Sequence, residues 1–259
     1  VMGTAHVLEA ARHIASVRAI LIVTTDKCYE NREWVWGYRE TDALGGHDPY
    51  ASSKACAELV ASAYRDSFFS AAGNVRIISA RAGNVIGGGD FAADRIIPDA
   101  VRAFLTRQDL QVRNPGAVRP WQHVLEPLTG YLRLIEAALA GTAGGDALSS
   151  GGFNFGPEPD AERSVSCLLD AFFAAWGVNA LWTQDEGTHP HETHVLRLDT
   201  AKARALLGWR PLLSFDETIQ WTADWHRVFV TGGDVAETTS RQIDAYLTRG
   251  ALQHVLIAS

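Results

Sequence analysis

The order of hydrophobic and polar positions predicts alternating helices and strands in the first third of the chain. An amphipathic helix over about 3–12 precedes a continuous apolar run at 19–24, which is typical of a strand covered on both faces of a parallel sheet. A helix with one apolar face over 50–68 leads to a second apolar strand at 75–81. Because strand, helix and strand alternate, we expect an α/β fold with a doubly wound parallel sheet.

The rest of the chain has a less regular pattern. It predicts helices and short strands near 95–105, 110–112, 127–140, 153–155, 165–176, 200–207, 215–230 and 237–248. We therefore expect two parts. Residues 1–85 would form the C-terminal part of a Rossmann-like, dinucleotide-binding domain, and 86–259 mainly a smaller, mixed α/β substrate-binding lobe with segments that return to the first domain.

The start of the chain suggests an N-terminal truncation. A dinucleotide-binding fold opens with a strand, a glycine-rich turn and a helix that hold the pyrophosphate, and no such unit precedes the first predicted helix. At roughly 30 residues for each β-α unit, on the order of 90 to 100 residues would be missing. We expect such a chain to lack most of a dinucleotide site and to expose an apolar sheet edge.

Composition narrows the choice of partners. A net charge of −7 argues against a nucleic-acid or anionic membrane surface, and no apolar run reaches the roughly 18 residues of a membrane span. The widely spaced Cys28, Cys56 and Cys167 fit a reducing, cytoplasmic location better than a disulfide framework, and we expect no metal site.

The strongest chemical signal is the segment Tyr50-Ala51-Ser52-Ser53-Lys54. Residues four apart on a helix lie on one face, so the Lys54 ammonium can stabilise the phenolate of Tyr50. We therefore expect Tyr50 to act as a base in a reaction that couples proton removal to hydride transfer. A second polar group, Thr25-Asp26-Lys27, follows the first apolar strand, and ligands of parallel sheets bind beyond the carboxyl ends of strands.

Several motifs in a fixed order carry a family resemblance. They are Thr24-Thr25-Asp26-Lys27, Tyr50-x-x-x-Lys54, Arg81-x-x-Asn84-Val85, Arg95-Ile96-Ile97-Pro98 and Arg119-Pro120-Trp121-x-His123-Val124. Together they resemble the extended short-chain dehydrogenase/reductases that act on nucleotide sugars. Within this family the string from Thr24 to Leu59 is most similar to the 4,6-dehydratases of CDP-glucose, because most other 4,6-dehydratases have Asp-Glu in place of Asp26-Lys27.

The resemblance implies a redox cycle with tightly held NAD. Tyr50 would take the proton of the sugar O4 while hydride leaves C4, with Thr25 hydrogen-bonded to the same oxygen. Loss of the C5 proton and the C6 hydroxyl would follow, with Asp26 as the acid, and hydride would return to C6. The product implied is a nucleotide-linked 4-keto-6-deoxyhexose. Tyr50 and Lys54 would also contact NAD.

The role of Lys27 stays open at this stage. Where relatives have Glu as the C5 base, a lysine can replace it only if its surroundings favour the neutral amine. Alternatively, a charged Lys27 stabilises the enolate while Asp26 or a water moves the protons. A solvated loop lysine without a catalytic role is the third possibility.

The resemblance also implies substrate-binding residues and an assembly. Asn84 would hydrogen-bond the sugar or its phosphate, Arg119 would pair with the pyrophosphate, and Arg95 and His191 are weaker candidates for the same nucleotide sugar. The first helix and the helix of Tyr50 would form a homodimer interface. Two alternative functions stay open: an epimerase or decarboxylase of the same family, and a catalytically incompetent fragment that at most binds a nucleotide or a partner.

Overall fold

A computed structural model describes residues 1–69, 75–140, 151–187 and 196–257. The helices are Met2–Ala11 (α1), Pro49–Phe68 (α2), Ile96–Thr106 (α3), Leu125–Ala140 (α4), Val165–Trp176 (α5), Ala201–Leu207 (α6), Phe215–Val230 (α7) and Val235–Ile257 (α8). The strands are Ala19–Val23 (β1), Arg76–Ala82 (β2), Val85–Ile86 (β3), Leu110–Val112 (β4), Val118–Pro120 (β5), Gln122–His123 (β6), Gly152–Phe155 (β7), Glu162–Ser164 (β8) and Trp182–Gln184 (β9). Short 3-10 helices lie at Asp26–Cys28 and Pro159–Ala161.

The chain forms two compact units that are not continuous in sequence. The first unit contains 1–83, 127–156 and 196–210, and the second contains 84–126, 157–195 and 211–259. The chain therefore leaves the first unit after Gly83 and returns to it twice. Our sequence-based division into 1–85 and 86–259 treated these returns only as unspecified segments.

The first unit is built on a parallel sheet in the order β1-β2-β7. Alternate residues of β2 point to opposite faces, as strand geometry requires. Ile77 packs with Leu8 of α1 and Ala61 of α2, whereas Ile78 belongs to a separate cluster with Leu134 of α4. Helices thus cover both faces of this sheet, and the predicted α/β class with a parallel sheet is confirmed.

The second unit has a core of aromatic and aliphatic side chains contributed mainly by α3, α5 and α7. Its strands form two-stranded pairs, β3 with β6, β4 with β9 and β5 with β8. Each of these strands has only two or three residues, and the sequence pattern predicted β4 but not β3, β5, β6, β8 or β9. Among the residues that the structure describes, no helix is both long enough and apolar enough to cross a lipid bilayer.

Two buried histidines lie in the second unit. His123 of β6 is 1% exposed, and its Nδ1 accepts a hydrogen bond from the Leu125 amide at 3.3 Å, whereas its Nε2 has no hydrogen-bond partner among the described residues. Burial lowers the pKa of His123 to about 4. His226 of α7 is also buried, and desolvation is the main cause that lowers its pKa. Its Nε2 lies 3.3 Å from the Gly87 carbonyl oxygen.

We predict that acid weakens the fold above the pH range in which carboxylates titrate. In the unfolded chain, His123 has a pKa near 6.5 and binds a proton below that pH. In the folded protein, the buried side chain binds this proton only near pH 4. Stability is therefore unaffected above pH 6.5 and falls as the pH drops towards 4, by about 3 kcal/mol for His123. Urea unfolding at pH 7.5, 6.5, 5.5 and 5.0 measures this slope.

His123→Asn provides the matched control for this prediction. The Asn side-chain oxygen can accept from the Leu125 amide in place of Nδ1 but does not titrate. We expect the variant to retain a smaller pH slope, due to His226, between pH 6.5 and 5.0. An unchanged slope in His123→Asn would contradict the assignment.

Candidate active site

The segment Thr25-Asp26-Lys27 follows β1 directly and forms a tight local structure. The Thr25 hydroxyl accepts a hydrogen bond from the Lys27 amide at 3.3 Å, so it caps the 3-10 helix, and it donates to Asp26 Oδ1 at 2.8 Å. Thr25 and Asp26 are buried, at 7% and 2% exposure, whereas Lys27 is exposed. The turn therefore holds a hydroxyl and a carboxyl side by side and directs the lysine outwards.

Gly83, just after β2, lies against the Asp26 carboxyl group. A Cβ atom at Gly83 would be 1.9 Å from Asp26 Oδ2 and 2.4 Å from its Cγ, far inside van der Waals contact. Only glycine therefore allows β2 to end where it does with Asp26 in its observed place. The backbone at Gly83 therefore packs against one side of the Asp26 carboxyl group and restricts its position.

Tyr50 and Lys54 lie one turn apart at the beginning of α2. Asp48 caps this helix by accepting from the Ala51 amide at 2.9 Å, and Pro49 occupies its first turn. Lys54 Nζ is 5.9 Å from the centroid of the Tyr50 ring, and the tyrosine is 48% exposed. The helix packs against the 3-10 helix that carries Asp26. In the first unit, the helix that carries the Tyr-Lys pair thus packs on the turn that carries the Thr-Asp pair.

A buried ion pair that the sequence analysis missed lies between these elements. Glu58 of α2 accepts a two-pronged pair of hydrogen bonds from Arg81 of β2, each 3.0 Å long, and both side chains are 4% exposed. The hydroxyls of Thr24 and Ser79 also donate to Glu58, each at 2.5 Å. The available signal was Arg81, a charged residue near the end of the predicted strand 75–81, because charged residues in buried strands are rarely found unless they are paired.

The pair carries full charges inside the protein. Burial alone would raise the pKa of Glu58, but the hydrogen bonds and charge of Arg81, with those of Ser79 and Thr24, outweigh it and lower the pKa. Burial would likewise lower the pKa of Arg81, yet its hydrogen bonds to Glu58 raise it above the ordinary value. Both groups therefore stay ionised at neutral pH.

The expected substrate-binding residues that the structure describes lie in the second unit. Asn84 has a left-handed backbone with φ of 47°, and its carbonyl accepts from the Gln122 amide at 3.2 Å. Arg95 is exposed just before α3, and Arg119 is partly buried in β5, where its Nη1 donates to the Val118 carbonyl at 3.0 Å. His191 lies outside the described residues. Within the described ranges, no group of three or more potential ligands could hold a metal ion.

The family model for GDP-mannose 4,6 dehydratase matches residues 1–222 of the chain. This match spans most of both units and includes the Thr-Asp-Lys segment and the Tyr-Lys pair. The chain therefore belongs to this family of nucleotide-sugar dehydratases.

Related proteins agree with this membership, and a solved structure agrees with the fold. The chain is 47% identical to a CDP-glucose 4,6-dehydratase of Salmonella typhimurium, over 96% of this chain and 69% of that protein. It is 32% identical to a dTDP-glucose 4,6-dehydratase of Streptomyces antibioticus, over 88% of this chain and 62% of that protein. A dTDP-glucose 4,6-dehydratase structure from Streptomyces venezuelae with NAD bound has a TM-score of 0.74 at 24% identity, covering 90% of this chain and 66% of that one.

These similarities confirm the expected class, a nucleotide-sugar 4,6-dehydratase with a Rossmann-like fold. The chain spans about two thirds of the length of the relatives that it matches, from 62% to 69%. These comparisons do not assign roles to individual residues, so the catalytic and binding roles of the named residues stay predictions.

We predict that Gly83→Ala inactivates the site by displacing the Asp26 carboxyl group. The added methyl group overlaps Asp26, so turnover of the full-length enzyme should fall at least about 100-fold, the order expected when a reacting group moves by 1 Å. Steady-state kinetics on a folded variant, checked by circular dichroism, measures the loss. Gly116→Ala is the control, because its Cβ would meet only Asn114 Oδ1 at 4.0 Å. Equal activities of the two variants would contradict the prediction.

Proposed function

We propose that the full-length protein converts CDP-glucose to CDP-4-keto-6-deoxyglucose with NAD as cofactor. The observation that carries the proposal is the joint placement of Tyr50 and Lys54 with Thr25 and Asp26 at the end of β1 in one unit. The choice of CDP over other nucleotides is supported by the 47% identity to the Salmonella enzyme of that name. The Asp26-Lys27 pair, in place of Asp-Glu, points the same way.

The residues present fit the cofactor at the place where they would contact it. Tyr50 is half exposed at the start of α2, with the partly buried Lys54 one turn further on, so phenol and ammonium are both within reach of a molecule bound there. When bound, NAD supplies reversible hydride transfer, which removes hydride from the sugar C4 and returns it to C6. Lys54 stabilises the phenolate form of Tyr50, and Tyr50 takes the proton from the O4 hydroxyl.

Thr25 and Asp26 act at two different oxygens of the sugar in this proposal: Thr25 hydrogen-bonds O4, and Asp26 protonates the departing C6 oxygen. The acid that protonates the departing C6 oxygen must carry a proton, and Asp26 is held 2.8 Å from the Thr25 hydroxyl. When Asp26 is protonated, it donates to Thr25 across this contact, and the Thr25 hydroxyl is then free to donate to the sugar O4. Loss of the Asp26 proton reverses the direction of the hydrogen bond. The contact therefore couples the hydrogen bond that Thr25 donates to the protonation state of Asp26.

Charged and polar groups of the second unit supply nucleotide binding in this proposal. Arg119 pairs with the pyrophosphate through its planar guanidinium, and Asn84 hydrogen-bonds the sugar or its phosphate. Arg95, which is exposed, and His191 contribute further contacts to the nucleotide. These assignments rest on the positions of the residues in the family motifs.

Incubation with CDP-glucose and NAD tests the function directly. We expect a product lighter by one water in mass spectrometry, with a 4-keto group that borohydride reduces. A product of unchanged mass would indicate an epimerase, and faster turnover of UDP-glucose or dTDP-glucose would overturn the CDP assignment. A protein that neither retains NAD nor turns over any of the three nucleotide sugars would support the non-catalytic alternative.

We predict that Lys27→Arg separates the two catalytic roles proposed for this residue. Arginine keeps the positive charge but cannot act as a base. If Lys27 stabilises the enolate, Lys27→Arg retains activity to within about tenfold while Lys27→Met loses at least about 100-fold. If Lys27 is the C5 base, both variants lose C5 proton exchange with D2O equally. Wild-type activity in Lys27→Met would assign it to the solvated surface.

We propose a homodimer formed through α1 and α2. The two helices pack on each other and still expose large apolar side chains: Met2 at 63%, Val7 at 57%, Leu59 at 58% and Phe68 at 51%. Apolar side chains grouped on a surface commonly mark a protein contact.

We predict that Leu59→Glu shifts the protein to a monomer in sedimentation velocity, because it places a charge in the proposed interface. Leu247→Glu, at an equally exposed leucine of α8 (56%), serves as the control and should leave the dimer intact. A monomeric wild type, or equal dissociation of both variants, would contradict this assembly.

A further inference from the structure

Glu58 receives hydrogen bonds from two strands of the sheet while it belongs to the helix that carries Tyr50. Thr24 at the end of β1 donates to its Oε1, and Ser79 of β2 donates to its Oε2, each at 2.5 Å. Arg81, also of β2, donates to both oxygens. One carboxylate thus joins α2 to the residue that follows β1 and to the neighbouring strand β2.

The positions of these residues relate the carboxylate to both halves of the candidate site. Tyr50, Lys54 and Glu58 follow one another at four-residue intervals, so they form a stripe along one side of α2. On the other side of the link, Thr24 directly precedes Thr25 and Asp26. The hydrogen bond from Thr24 to Glu58 is therefore a direct side-chain connection between the two catalytic segments.

The link is rigid because its far side is also held. Arg81 Nη1 donates to the Tyr29 hydroxyl at 2.7 Å, and Tyr29 donates to Asn154 Oδ1 at 2.7 Å. Asn154 in turn donates to the carbonyls of Tyr38 and Asp199 at 2.8 and 3.1 Å. Tyr29, Tyr38 and Asn154 are each at most 2% exposed. Every group in this series of hydrogen bonds has a fixed partner, so the Glu58 carboxylate has little freedom to move.

We propose that Glu58 is a positioning residue: fixed by Arg81, it holds Thr24 and thereby sets the placement of Thr25 and Asp26 relative to Tyr50 and Lys54. Glu58 acts through these residues and does not itself contact the reacting atoms. The inference rests on the proposed dehydratase function. Its physical basis is the steep dependence of rate on the alignment of reacting groups, about 100-fold for a displacement of 1 Å.

Thr24→Val removes the link and leaves the ion pair in place. Valine has the shape of threonine without its hydroxyl, so β1 loses its connection to Glu58 while Arg81 and Ser79 keep theirs. Thr24→Ser restores the hydroxyl and serves as the conservative rescue. Glu58→Asp keeps the charge but withdraws the carboxylate by one methylene. Thr222→Val is the matched control, because this fully buried hydroxyl, bonded to the Thr218 carbonyl at 2.8 Å, lies in the second unit.

Kinetics of the full-length enzyme separate positioning from stability. We expect Thr24→Val and Glu58→Asp to lower kcat by about 10- to 100-fold with KM changed less than about threefold, since alignment and not binding is lost. A misaligned O4 proton transfer would also raise the isotope effect on kcat with substrate deuterated at C4. Thr24→Ser and Thr222→Val should keep both the wild-type kcat and the wild-type isotope effect.

Hydrogen exchange of the same proteins gives a readout that does not depend on turnover. In Thr24→Val we expect faster exchange of the amides over 24–28 than in wild type, with Thr222→Val unchanged in that segment. If wild type turns over no nucleotide sugar, the proposed function fails, but this exchange result still tests the positioning link. Unchanged exchange over 24–28 in Thr24→Val overturns the proposal. So does a loss of kcat in Thr222→Val that matches the loss in Thr24→Val at equal stability.

Discussion

The ion pair of Glu58 and Arg81 is the constraint on which the first unit depends. Both side chains are 4% exposed, and burial of two charges is costly unless every oxygen and N–H group finds a partner. Here the Glu58 carboxylate accepts hydrogen bonds from Arg81, Thr24 and Ser79, and Arg81 also donates to the Tyr29 hydroxyl. Breaking one partner of such a pair typically costs about 3 to 5 kcal/mol, whereas an apolar replacement of both is often neutral. Its effect is therefore largely to select one arrangement of helix and strands.

That arrangement places chemistry at the carboxyl end of a parallel sheet. The 3-10 turn after β1 holds Thr25 and Asp26, Gly83 brings the backbone after β2 against the carboxyl group, and α2 presents Tyr50 and Lys54. The proposed acid thus comes from the 3-10 turn after β1, and the proposed base and ammonium both come from α2. The second unit contributes a separate aromatic core and the arginines that we assign to the nucleotide.

The regular elements were largely predictable because their apolar periodicity is strong. Helix α2 and strand β2 were expected at 50–68 and 75–81 and are observed at Pro49–Phe68 and Arg76–Ala82. The short strands of the second unit were not predictable, because two or three residues carry no periodicity and their pairing partners are distant in sequence. The long loop after β1 is held to the first unit by Tyr38, which is buried and hydrogen-bonded to that unit.

The amino-acid sequence by itself determined the class of chemistry. The four-residue spacing of Tyr50 and Lys54, and the position of Thr25 and Asp26 after a strand, follow from helix and strand geometry and needed no tertiary information. Tertiary structure decided how the two pairs are held. Glu58 and Arg81 are 23 residues apart, and Tyr29 and Asn154 are 125 apart, so their partnership depends on how the chain folds back on itself. Local patterns specify elements, whereas a buried network exists only once those elements have packed.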